Sequence, residues 1–115
     1  MNKDCLFCKV IDGTIKSEIV YRDEQVVAFK DINPQAPVHI LVIPRRHIEK
    51  ISDLSEENKL IVSNLVLTAN RLARSNKIDQ GGYRLVLNCG PDAGQAVFHI
   101  HLHLLGGRKL NWPPG

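Results

Sequence analysis

Alternation and helical periodicity divide the chain into short strand-like segments around one long helical stretch. Ile19 to Tyr21 and Val26 to Lys30 are rich in β-branched and aromatic residues, and the Asp23-Glu24 turn between them reads as a hairpin. His39 to Pro44 contains a continuous apolar run (Ile40, Leu41, Val42, Ile43) of a length suited to a buried strand. Tyr83 to Asn88 and Phe98 to Leu105 read as two further strands. Ser55 is a good helix N-cap, followed by Glu56 and Glu57, whose charge suits the first turn of a helix. That helix is predicted to run to about Asn76, with Ile61, Leu65, Leu72 and Ala73 on its inward face. Cys5 to Asp12 reads as a short helix or turn closed by Gly13. Pro34 and Pro37 make Asp31 to Pro37 a loop, and Cys89 to Gln95 is a glycine-containing loop. The pattern predicts one α+β domain over residues 1–115, built on an antiparallel sheet.

Composition narrows the class of protein. The 115 residues suffice for one compact domain. Hydrophobic residues make up 43% and charged residues 23%, which argues against disorder. A net charge of +3, with the basic residues scattered except at Arg45-Arg46, gives no footprint for nucleic acid. No apolar run is long enough to span a bilayer, and the first residues lack the apolar core of a signal peptide. A cytoplasmic protein is expected, with no membrane or nucleic-acid partner. Three cysteines, two of them in Cys5-Leu-Phe-Cys8, point in a reducing compartment to a metal or to redox chemistry rather than to disulfides.

The residues of greatest chemical interest are His99, His101 and His103. On a strand they would share one face, about 6–7 Å apart, while Phe98, Ile100, Leu102 and Leu104 take the other and are buried. Neighbouring imidazoles repel when charged, so solubility alone does not account for them. Two uses remain open. Three histidines on one flat strand converge poorly on a tetrahedral ion unless another element supplies ligands. A neutral imidazole is a good nucleophile, and a second can serve as acid or base. Phosphorus is a natural target, and the loop Gly90 to Gln95 can bring backbone N–H groups close to phosphate oxygens.

The run His99-Ile-His101-Leu-His103-Leu-Leu105 resembles the signature of the histidine-triad (HIT) superfamily. Cys5 to Ile11, Ala28 to Ile32, Pro34 to Pro37, His39 to Pro44, Leu104 to Arg108 and Trp112-Pro-Pro-Gly115 all look like its Hint branch. The resemblance implies a HIT-like fold: a five-stranded antiparallel sheet with one long and one short helix. It also implies a homodimer with a continuous sheet, to which a tail from about residue 106 contributes. The implied function is that of a purine nucleoside phosphoramidase, which hydrolyses the P–N bond of AMP or GMP joined to an amine. His101 would be the nucleophile that becomes nucleotidylated, flanked by His103 and His39. Asp31 would grip the ribose, with Ile32, Phe29, Leu41 and Phe7 around the base. Asn88, Gly94, Gln95 and Ala96 would line the phosphate, and Trp112 would reach toward the partner's site.

Ala96 departs from the pattern, because many Hint proteins carry serine there and alanine cannot donate a proton to a leaving amine. In relatives with the N-terminal Cys-x-x-Cys, the remaining ligands correspond to His47 and His99. The resemblance therefore implies a closed, structural zinc site of Cys5, Cys8, His47 and His99, with no metal needed for catalysis. Cys89 reads as a small packed residue. Two other functions are carried alongside: a nucleotide-binding or scaffold protein with weak catalysis, and a dinucleoside polyphosphate hydrolase.

Overall fold

The computed structural model describes residues 2–115. Its elements are α1 (Leu6–Asp12), β1 (Ile19–Arg22), β2 (Val26–Lys30), β3 (Val38–Pro44), α2 (Leu60–Ser75), β4 (Tyr83–Leu87) and β5 (Leu102–Gly106), with short 3-10 turns between some of them. The strands form one antiparallel sheet in the order β1-β2-β3-β5-β4. This is the α+β architecture, with one long and one short helix, that the sequence predicts.

Strand alternation sends the side chains of β2, β3 and β5 to two different cores. Val26, Ala28, Ile40, Val42, Leu102 and Leu104 face α2, where they meet Leu65, Ala69, Leu72 and Ala73. Those helix positions recur at i, i+4, i+7 and i+8, one stripe of an amphipathic helix. Leu65 is fully buried there, which contributes about 1.5–3 kcal/mol. The opposite face of the sheet offers Val27, Phe29, Leu41 and Ile43, and α1 covers them with Phe7, Cys8, Val10 and Ile11. His39 and His103 lie on this second face by the same alternation, since His103 pairs with Leu41 across β3 and β5.

Two element starts differ from expectation. The long helix begins at Leu60, not at Ser55. Ser55 instead opens a 3-10 turn over Glu56–Asn58, because the Asn58 side chain accepts the Ser55 N–H at 2.7 Å and tightens the chain. The last strand begins at Leu102, so Phe98, His99, Ile100 and His101 precede it. By the register of β3 and β5, β3 ends at Pro44 opposite Ile100, and the segment's own polar groups turn to other partners. Ile100 N–H donates to Ile48 O at 2.8 Å, and the His99 ring lies 2.8 Å from Pro44 O. Ile100 still reaches the α2 core, but Phe98 is 44% exposed and not buried as predicted.

Candidate active site

The five histidines form two adjoining groups beneath α1. His101 and His103 have ring centroids 5.1 Å apart, and His39 lies 5.2 Å from His103. His99 turns the other way, toward His47, at 5.1 Å. The expectation of three equivalent imidazoles on one strand is thus corrected: His99 and His101 lie ahead of β5, and His99 leaves the row. Phe7 sits over the junction, edge to face with His101 at 5.0 Å and with Phe29 at 5.4 Å.

Main-chain partners assign the ring hydrogens. A carbonyl can only accept, so the 2.8 Å contact between His101 Nδ1 and His99 O places a hydrogen on Nδ1. In neutral His101 the lone pair is therefore on Nε2. Burial lowers the affinity of His101 for a proton, opposed by the His99 carbonyl and the Asp31 charge. His103 is pushed down to about 4, mainly by burial and further by His101 and His39, while Asp31 pulls the other way. Burial likewise lowers His39, again against Asp31. No buried side-chain nitrogen or oxygen among the described residues lacks a partner.

These shifts give stability a pH dependence. His39 and His103 hold protons less well when folded than in the unfolded chain, where histidine titrates near 6.5. Unfolding therefore takes up protons between about pH 6.5 and 4, and stability should fall as pH drops through that window. His101 and Asp31 face the same pair and set its depth. Urea midpoints measured across the window should show the slope, and a His103→Gln variant should flatten it. An equal slope in that variant would place the effect elsewhere.

The second group is a compact donor set. Cys5 Sγ lies 3.4 Å from His99 Nδ1, and Cys8 Sγ lies 3.4 Å from His47 Nδ1 and 3.6 Å from His99 Nδ1. One donor atom from each of the four residues falls within 4.8 Å of the others. His99 is fully buried, and its Nε2–H donates to Pro44 O, which leaves Nδ1 bare and facing the thiols. Cys5 is also the N-cap of α1, its sulfur accepting Cys8 N–H at 3.3 Å. Two thiols and two imidazole nitrogens are a donor set that tetrahedral zinc takes.

The other expected residues are distributed unevenly. Asp31 lies beside the histidines, Oδ2 3.4 Å from His39 Nε2, while its Oδ1 accepts Asn33 N–H at 2.8 Å. Phe29 and Leu41 are buried under α1 and serve as core as much as wall. Ile32 and Trp112 are 97% and 81% exposed in the single chain. Asn88 is half-buried, Gly94 and Ala96 are exposed, and the Gln95 side chain is fully engaged. Gln95 Oε1 accepts Gly90 N–H, and its Nε2 donates to Glu49 O and Val97 O, so it ties the glycine loop to the chain beside it. A surface groove of about 810 Å³, lined by Glu24, Arg45, Glu57 and Asn64 among others, includes none of the histidines in its wall. Sequence reasoning missed the main-chain partners (His99 O, Pro44 O and the amide of Gln35), because a backbone group leaves no mark in residue identity.

Antiparallel sheet, covering helices and clustered histidines together define a HIT-type domain. A family model described as the HIT domain matches residues 12–110, and the chain belongs to that family. A HIT-like protein of Synechococcus elongatus is 46% identical over 115 residues, the full length of both chains. Another from Buchnera aphidicola is 47% identical, over 92% of this chain and 95% of its own. The fold is also that of a crystal structure described as a HIT family hydrolase from Legionella pneumophila, with TM-score 0.95 and 46% identity, over 97% of this chain and 100% of that one. A histidine triad protein from Clostridium difficile superposes with TM-score 0.94 at 44% identity, each chain covered to 96%. No helix among the described residues is long and apolar enough to cross a membrane.

Proposed function

We propose that this protein is a Hint-type purine nucleoside phosphoramidase that works through a nucleotidyl-His101 intermediate. The observation that carries the reading is the 2.8 Å hydrogen bond from His101 Nδ1 to His99 O, which leaves the Nε2 lone pair free for attack. His101 Nε2 would bond to phosphorus as the P–N bond to the amine breaks, and the amine would leave with a proton taken from solvent. Water would then cleave the phosphorus–imidazole bond, releasing the nucleoside monophosphate and restoring neutral His101. His103 and His39 would orient the phosphate. Asp31 would hold the ribose, and Ile32 with the edge of the Phe7–Phe29 cluster would flank the base. Asn88, Gly94 and Ala96 would border the phosphate. Gln95 would act through the loop that it ties down.

Cys5, Cys8, His47 and His99 would hold a structural zinc ion. It would supply a cross-link between the N-terminal segment and the chain entering β5, with no open position for substrate. A homodimer formed along β4 fits the same reading. β4 is an edge strand of half-buried residues, and a second copy there would continue the sheet. The exposed Trp112 would then have a partner's site within reach. The cytoplasm is the proposed location.

Incubation with adenosine 5′-phosphoramidate tests the reading, with AMP release and a mass increase of one nucleotidyl group on His101 as the expected result. Bound nucleotide with neither release nor adduct would make the protein a binder. Ala96→Ser should raise turnover of amine-leaving substrates, because a hydroxyl at the loop could relay a proton to the departing nitrogen. Unchanged turnover in that variant would remove Ala96 from the account of amine departure.

A further inference from the structure

One contact in the loop before β3 fixes the hydrogens of two histidines at once. Gln35 N–H lies 3.0 Å from His39 Nδ1, and an amide N–H can only donate. His39 Nδ1 is therefore bare, and the ring proton of neutral His39 is on Nε2. Nε2–H in turn faces His103 Nδ1 at 2.9 Å, with Asp31 Oδ2 at 3.4 Å as a second acceptor. His103 Nδ1 accepts, so the neutral His103 ring carries its proton on Nε2, the nitrogen left for a ligand. His101 is the opposite tautomer, with its free Nε2 bare.

We propose that the main-chain amide of Gln35 is a positioning group that sets His103, through His39, as a one-way hydrogen-bond donor toward a phosphoryl oxygen. The amide is well placed for that task because the loop around it is held at several points. Arg108 Nη2 donates to Gln35 O at 2.8 Å, and the Gln35 side chain donates to Asn33 O at 3.0 Å. Asp31 N–H donates to His39 O at 3.0 Å and closes the loop at its base. Pro37 packs so closely on Gly107 that an added Cβ there would lie 2.9 Å from the proline ring, which pins the loop to the chain leaving β5.

Two consequences follow from the direction of the chain. The site suits an acceptor-only group beside the nucleophile, such as a phosphoryl or phosphonyl oxygen, and disfavours a ligand presenting N–H or O–H at that point. Asp31, His39 and His103 also bring donor atoms within 4.8 Å of one another, close enough for a metal. An ion on His39 Nε2 would move the ring proton to Nδ1, against Gln35 N–H. The trio is thereby reserved for hydrogen bonding.

This inference deepens the proposed function, since it names the donor to the phosphoryl group, yet its first readout needs no substrate. Long-range proton–nitrogen NMR on the full chain labelled with 15N-histidine, at pH 7.5, should show His39 and His103 each with one protonated nitrogen, Nε2. A Gln35→Ala variant keeps the amide and should leave both signatures unchanged. Gln35→Pro removes it, and should give mixed tautomers together with about tenfold lower kcat on adenosine 5′-phosphoramidate, the loss expected for one hydrogen bond, at little changed KM. His103 protonated on Nδ1 in the parent, or a single Nε2 tautomer retained in Gln35→Pro, would overturn the proposal. If Gln35→Pro does not fold, a nitrogen–nitrogen coupling across the Gln35 N–H to His39 Nδ1 hydrogen bond in the uniformly 15N-labelled parent decides, and its absence would overturn the proposal. A chain without phosphoramidase activity but with the expected tautomers would fail the functional reading and leave this one standing.

Discussion

His101→Ala is expected to lower AMP release from adenosine 5′-phosphoramidate by about 10³-fold or more, the scale seen when a nucleophile is deleted. The variant should still bind AMP, because Asp31, His39 and His103 remain in place. Deletion also strands the His99 carbonyl that His101 satisfies, and opens a space beside Phe7. Some stability is therefore lost, on the order of 1–3 kcal/mol, and binding must be measured beside activity to separate the two effects. His103→Ala gives the contrast. It removes the proposed donor to the phosphoryl group but not the proposed nucleophile, so a loss on the order of 10²-fold with the His101 adduct still detectable is expected. Turnover surviving in His101→Ala would defeat the covalent mechanism. Equal losses in both variants, with no adduct in either the parent or His103→Ala, would point to direct attack by water.

Much of this architecture could be read from residue pattern, because the chain obeys simple periodicities where it is regular. Ile40 and Val42 alternate with Leu41 and Ile43, and both faces are buried, one by α2 and one by α1. A continuous apolar run is what a strand covered on both sides requires. The pattern was least informative where main-chain bonding outweighs side-chain preference. Ser55 is a good cap, but Asn58 uses its side chain to close a tighter turn before α2 can start. Phe98 to His101 alternate as a strand would, yet β3 ends opposite Ile100, Ile100 N–H turns to Ile48 O, and the His99 ring takes Pro44 O.

At the site, residue type singled out the histidines and paired the cysteines, but the assignment of each nitrogen came from His99 O, Pro44 O and Gln35 N–H. None of these belongs to a distinctive side chain. Gln95 shows the converse: the family resemblance implies a place beside the phosphate, and its side chain makes three hydrogen bonds to main-chain atoms that hold the loop there.

Removing the proposed zinc should cost more than any single side chain outside the core. α1 has only seven residues, too few to persist on its own, and its N-cap is the sulfur of Cys5. It nevertheless covers Val27, Phe29, Leu41 and Ile43 on one face of the sheet, and holds Phe7 against His101. A cation joining Cys5 and Cys8 to His47 and His99 would anchor that lid to β3 and to the entry of β5. Zinc content near one per chain is expected, and Cys8→Ser or exhaustive chelation should lower Tm by about 10 °C or more, as a loss of a few kcal/mol implies for a chain of this size. Activity should fall with it, since a loosened α1 withdraws Phe7 from His101 and frees the segment whose carbonyl holds the His101 ring. Protein purified without metal, with Tm unchanged by chelators or by added zinc, would instead make Cys5 and Cys8 packing residues. In that case α1 would be held by the contacts of Phe7, Val10 and Ile11 alone.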